Sequence, residues 1–176
     1  MIKNGLLAIL ICFGFQAIIG QTINKTIIDP QLNKPVMIGY CNLTGLEKGE
    51  FGEIFKTEFE KYKPKKKYIE RLTPVIDKIE FTVVLGTWCG DSKEQVPHFY
   101  KILKACNYSD KRVKAIGVDR SKTAIIVKID DLNIERVPTF ILYKNGIEIG
   151  RIVETPDKNL ERDLWTIISE HTQPEK

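Results

Sequence analysis

The chain has 176 residues, 43% hydrophobic and 9% aromatic, a globular composition with material for one ordinary domain plus an N-terminal extension. Its formal net charge of +4, from 27 Lys and Arg against 23 Asp and Glu, is too mild to point to a nucleic-acid partner. Cysteine is too sparse for a disulfide-dense scaffold. With His98 and His171 as the only histidines, no clustered spacing for a metal exists, and no cofactor is expected.

Lys3 is the only charge in the first twenty residues, and Gly5 to Gly20 is uncharged and mostly apolar. A basic start followed by a short apolar run reads as an export signal, residues 1–20, cleaved after Gly20 or Ala17; an uncleaved membrane anchor is the other reading. The protein is therefore expected in the periplasm. Bulky Ile11 argues against lipidation of Cys12, which leaves with the signal. Cys41, Cys89 and Cys106 remain, an odd count that leaves at least one thiol free or shared between chains.

Residues 21–35 are polar and are expected to be irregular, and Val36 to Tyr40 has the makings of a short strand. Leu46, Phe51, Ile54, Phe55 and Phe59 recur at helical spacing and predict an amphipathic helix over Leu46–Tyr62, ended by Pro64. The basic run Lys63 to Lys67 reads as a solvated helix start or linker. A second helical pattern runs from Lys65 to Lys78, with a kink or break at Pro74. Phe81 to Gly86 is a buried-type strand, and a helix from Gly90 to Cys106 follows it closely. Asn107, Ser109 and Asp110 mark a turn before a strand over Val113–Val118. Residues 121–132 suggest a short helix and a loop. Thr139–Tyr143 and Ile147–Val153 form a hairpin through Asn145-Gly146. Asp157 to His171 is the last helix.

This order predicts an α/β domain. The first two strands, joined through a helix, are parallel, and the hairpin adds antiparallel strands. The expected architecture is a mixed central sheet with helices on both faces. Residues 21–64 form a helical N-terminal extension, 65–171 the domain and 172–176 a tail.

The chemistry concentrates at Trp88-Cys89-Gly90-Asp91-Ser92, where a buried strand meets a helix start. Free N–H groups and a partial positive charge at the first turn favour a thiolate, the nucleophilic form of cysteine. Asp91 favours the helix start but opposes a thiolate, so the net sign is open. His98, nine residues past Cys89, falls on the opposite side of the helix and is expected at the surface, not as a base. Cys106 lies about 25 Å along the same helix, too far to bridge to Cys89. A Cys41–Cys89 bridge stays open.

The segment VVLGTWCGDSKEQVP resembles the strand–WCxxC–helix unit of the thioredoxin family, with Ser92 in place of the second cysteine and Pro97 at the family's helix-kinking proline. ERVPTFILYKNGIEIGRIV resembles the family's cis-proline strand and closing hairpin. The resemblance covers roughly Lys65 to His171, and the whole layout is similar to exported thioredoxin-like proteins of Bacteroidetes-type bacteria. It implies a thioredoxin-like fold, a cis Val137-Pro138 peptide beside Cys89, and a substrate surface made by Trp88, Gly90, Asp91, Val137 and Pro138. It also implies Cys89 as nucleophile with Ser92 supporting the thiolate.

Two departures narrow this. Serine cannot form the internal disulfide that releases a mixed disulfide. The family's buried Asp, six residues before the nucleophile, is Val83 here. The expectation is a monothiol thiol–disulfide exchange protein of the cell envelope, acting as a monomer on protein disulfides or glutathione-type adducts and released by an external reducing thiol. A thioredoxin-fold binding or scaffold module without turnover is the alternative.

Overall fold

The computed structural model describes residues 22–172; the expected export signal or anchor, Cys12 and residues 173–176 of the tail lie outside the described residues. The described residues begin with an antiparallel hairpin, β1 (Lys25–Asp29) and β2 (Lys34–Cys41). This differs from the irregular segment expected over 21–35. β1 is short and half exposed, so it has no readable alternation. Its turn is set by Asp29, whose carboxylate accepts from the N–H groups of Gln31 and Leu32 at 2.8 and 2.9 Å. Burial alone pushes the Asp29 carboxyl up, but the N–H donors of Leu32, Gln31 and Arg120 outweigh it and hold the group below the usual range.

Two helices follow where one was expected: α1 (Leu43–Leu46), capped by Asn42, and α2 (Gly49–Lys61). Gly49 takes φ +61°, a left-handed conformation that redirects the chain between them. After α3 (Lys66–Leu72) a single 3-10 turn follows at Ile76–Lys78, the break that Pro74 imposes. Then come β3 (Glu80–Leu85), α4 (Gly90–Ala105), β4 (Val113–Gly117), a long loop with one 3-10 turn at Asp130–Leu132, β5 (Thr139–Lys144), β6 (Ile147–Val153) and α5 (Leu160–His171). Asn145 and Gly146 both have positive φ, as the tight β5–β6 hairpin requires. None of the helices among the described residues is long and apolar enough to cross a membrane.

The six strands form one thioredoxin-like mixed sheet in the order β1-β2-β4-β3-β5-β6. Only β3 and β4 run parallel; every other neighbour is antiparallel. The helices, expected on both faces, pack on one. Phe55 of α2, Leu72 of α3, Phe99 of α4 and Leu164 of α5 share a core with Phe81, Val83 and Phe140 of the sheet. The opposite face, carrying Val84 and Ile116, is covered by the loop after β4 through Ala124, Ile129, Leu132 and Val137. The physical reason lies in β2. It is antiparallel to β4, so the α1–α3 connection leaves and re-enters at the same end of the sheet. The right-handed crossover rule for parallel strands then does not dictate its face.

The segment before residue 65 is thus built into the domain. α2 lies along α4, and this overturns the surface placement of His98. The His98 ring stacks on Tyr62 with centroids 3.9 Å apart, Nε2 lies 3.3 Å from Glu58 Oε2, and the residue is only 8% exposed. Beside it, buried Glu161 of α5 accepts from the Tyr62 hydroxyl at 2.5 Å and from the Lys65 N–H at 2.9 Å. That carboxylate ties the end of the extension to the last helix.

Glu161→Ala leaves both donors without their acceptor and is expected to cost about 1–3 kcal/mol, read as a lower urea midpoint. Burial lowers the His98 pKa, against the opposing pull of Glu58. Its stabilising contribution is therefore complete above the unfolded value of about 6.5 and is lost as pH falls through the lower folded value. His98→Phe, which keeps a ring on Tyr62, is expected to flatten the fall in unfolding free energy between about pH 7 and pH 5.

Candidate active site

β3 ends at Leu85, and four residues carry the chain to α4. Gly86 organises this turn. Its carbonyl accepts from the Cys89 N–H at 2.9 Å, and its own N–H donates to Ser92 Oγ at 3.2 Å. The Trp88 ring lies over its Cα: a methyl group there would sit 2.6 Å from Cε2 and 2.8 Å from Nε1 of Trp88. Trp88 is pinned from two further directions. Its Nε1–H donates to the Val118 carbonyl at 2.9 Å, and the Arg120 guanidinium sits 5.4 Å from a Trp88 ring centroid.

Cys89 occupies the position just before the first residue of α4, and its carbonyl accepts the Lys93 N–H at 3.0 Å. The side chain is half-buried, and its thiol donates to the Val137 carbonyl at 3.1 Å. Cys89 and the Val137-Pro138 pair, far apart in sequence, therefore meet. The Val137-Pro138 peptide is cis. Its loop is held at both ends: the Glu154 N–H donates to the Pro138 carbonyl at 2.7 Å, Arg136 pairs with the Glu154 carboxylate at 2.8 Å, and Thr139 Oγ1 donates to the Arg136 carbonyl at 2.7 Å.

Ser92 is fully buried. Its oxygen is engaged with Gly86, whereas the expectation from sequence was a bond to the Cys89 sulfur. Gly90 and Asp91 form the first turn of α4 as expected; a side chain at Gly90 would meet nothing within 4 Å. Val83 is fully buried in the helix-side core.

All three cysteines among the described residues are free. Cys41 points into the core on the helix side of the sheet, whereas Cys89 packs on the loop-covered face, so the bridge left open by sequence would have to pass through the sheet. Burial pushes the Cys41 thiol up to about 12, against a weaker opposing bond from the Gly117 backbone. Cys106 follows the last residue of α4 and is likewise pushed up by burial. Neither is suited to act as a nucleophile.

Sequence reasoning missed three supports of the site. The Met37 N–H of β2 donates to Thr87 Oγ1 at 3.1 Å, so the extension grips the active-site turn directly. Arg120 covers Trp88, and its N–H reaches Asp29 Oδ2 at 3.4 Å, a link from the β1–β2 turn. Gly86 itself carried a signal: a glycine directly before an aromatic turn residue marks a close approach.

The thioredoxin family model matches residues 66–166, more than half of the chain. The chain belongs to the thioredoxin family. It is 36% identical over 79 residues to mitochondrial thioredoxin-3 of Saccharomyces cerevisiae, covering 45% of this chain and 58% of that protein. It is 30% identical over 88 residues to thioredoxin-1 of Schizosaccharomyces pombe, covering 50% of this chain and 80% of that one. The chain thus spans little more than half the length of the first curated relatives it matches. Among solved structures it is similar in fold to oxidised thioredoxin 3 of S. cerevisiae (21% identity, 64% of this chain, 98% of that one, TM-score 0.37). It is also similar to a Pseudomonas aeruginosa protein of unknown function (14% identity, 69% and 83%, TM-score 0.49). The matched region contains the Trp88-Cys89 turn, buried Ser92 and the Val137-Pro138 loop.

Gly86 does not have positive φ, so the objection to a side chain there is purely steric. Gly86→Ala is expected to displace the Trp88 ring, cost about 1–3 kcal/mol and shift Trp88 fluorescence to the red, measured in a Trp165→Phe background. Gly90→Ala, which points into open space, is expected to stay within about 0.5 kcal/mol of the parent.

Proposed function

We propose that this thioredoxin-family protein is a monothiol thiol–disulfide exchange protein of the cell envelope. The observation that carries the reading is the accessible Cys89 thiol resting 3.1 Å from the Val137 carbonyl beside Pro138, while the second motif position is a serine buried under Gly86. Cys89 loses its proton and attacks one sulfur of a substrate disulfide. That S–S bond breaks, a Cys89–substrate disulfide forms, and the other substrate sulfur departs as a thiolate that takes up a proton. Ser92 cannot attack the mixed disulfide. An external reducing thiol attacks the Cys89 sulfur instead, so the substrate sulfur departs as a thiolate that takes up a proton and a Cys89–reductant disulfide forms. A second equivalent of the same thiol attacks that bound sulfur, so the Cys89 thiolate is regenerated and the two reducing thiols depart joined as their own disulfide. The substrate class is protein disulfides or glutathione-type adducts, handled by a monomer.

Trp88 offers a fixed apolar surface to the substrate, and the Val137 carbonyl, freed when the thiol ionises, is an acceptor for an extended substrate backbone. The envelope location rests on the apolar run Gly5 to Gly20 behind Lys3, the pattern of exported bacterial proteins. The competing reading, a binding module without turnover, is favoured by the pairing of Ser92 with Val83: both positions that would serve a dithiol cycle are filled by groups without acid–base function.

Two measurements decide between them. In envelope extracts, wild-type protein is expected to accumulate mixed disulfides that Cys89→Ser abolishes; their absence from the wild type would favour the binding module. In insulin reduction with dithiothreitol, Ser92→Cys is expected to gain activity over the wild type by at least about tenfold, and Cys89→Ser to have none. The gain is expected despite a stability cost of about 1 kcal/mol from the weaker acceptor offered to the Gly86 N–H.

A further inference from the structure

A groove of about 530 Å³ opens beside the active-site turn, in the size range of pockets that hold a short peptide or small ligand. It exists because the N-terminal hairpin stands against the start of α2. Met37 of β2, Phe51 of α2 and Trp88 line it together with Thr87. Cys89 itself does not line the groove, but Thr87, Trp88 and Lys93, on either side of it in the chain, do, so a peptide whose sulfur meets Cys89 has the groove within reach of its flank.

The charges around this groove are unbalanced. Lys34, Lys48 and Lys93 line it against a single acid, Glu50. Glu50 already pairs with Lys93 at 3.3 Å. Among the described residues Lys34 and Lys48 form no ion pair, and both are exposed. A chain with a net charge of only +4 thus lines one groove beside its nucleophile with three lysines against one acid. The apolar floor with a cationic rim complements a peptide segment that carries acidic side chains around its cysteine.

We propose that this groove is a substrate subsite that selects acidic peptide segments flanking the disulfide cysteine. The inference rests on the exchange reading of Cys89 and adds to it a substrate class. The acidic flank sits against the unpaired Lys34 and Lys48 and competes with Glu50 for Lys93, while the substrate sulfur lies at Cys89. The exchange step is unchanged: one S–S bond breaks, one forms, and the leaving sulfur departs as a thiolate.

The test uses the full chain and two synthetic peptides that differ only in having Glu or Gln on both flanks of one position. With serine at that position and a fluorescent label, anisotropy reads binding alone. With cysteine there, joined to thionitrobenzoate as a mixed disulfide, attack by Cys89 on the peptide sulfur releases coloured thionitrobenzoate and reads exchange; Cys89→Ser supplies the background. At low salt the Glu peptide is expected to bind and react about tenfold better than the Gln peptide, with the ratio shrinking as salt is raised. The pair Lys34→Gln and Lys48→Gln is expected to bring the ratio to within about twofold, and Glu50→Gln to raise it. Equal binding of the two peptides by the wild type, or a ratio unmoved by removing the two lysines, would overturn the proposal. Preferential binding of the Glu peptide without release of thionitrobenzoate would sustain the groove and defeat the exchange reading. Equal release from both peptides would do the reverse.

Discussion

The site hangs on the backbone of Gly86. Its N–H is held by Ser92 from within α4, its carbonyl holds the Cys89 N–H, and the Trp88 ring occupies the space where a side chain would be. These three interactions fold four residues into a turn tight enough to deliver Cys89 to the helix start with its sulfur outward. The turn is closed locally, and its rigidity is then inherited by everything that touches it.

What touches it comes from both ends of the chain. The Val137-Pro138 loop receives the thiol on one side. The N-terminal hairpin grips Thr87 through the Met37 N–H and reaches Arg120 through Asp29. The same N-terminal segment is tied down at its far end by the Tyr62 and Lys65 bonds to Glu161. An element that might have been an appendage is therefore a wall of the site. Because β2 enters the sheet antiparallel to β4, α2 is free to lie on the face that already carries α4, and the groove beside Trp88 follows from that placement.

The chemical consequence is a separation of thiols. Cys41 is sealed in the core on one side of the sheet, Cys106 is buried at the far end of α4, and among the described residues Cys89 alone combines access with a hydrogen-bonded position at a helix start. Ser92 serves the turn structurally: its oxygen satisfies a buried backbone donor that a thiol would satisfy less well.

The sequence alone determined the strand–turn–helix unit around Cys89, the parallel pairing of β3 with β4 and the β5–β6 hairpin, while the meeting of Cys89 with Val137-Pro138 followed only from the resemblance to the thioredoxin family. The first three rest on strong local periodicity, on Asn-Gly turn chemistry, or on motifs whose residues state their geometry. The sequence did not disclose β1, the burial of His98, the single helical face or the partner of Ser92. β1 has too few apolar residues to show a period. His98 is covered only because another helix lies along α4, and the Ser92 hydroxyl chooses its partner according to which backbone donor would otherwise be left unpaired in the core. Local pattern decides which segments become strands and helices and where the reactive thiol sits. Only the packed structure decides which face each helix covers, which polar group must be satisfied and what surrounds the thiol, because those depend on burial by residues distant in the chain.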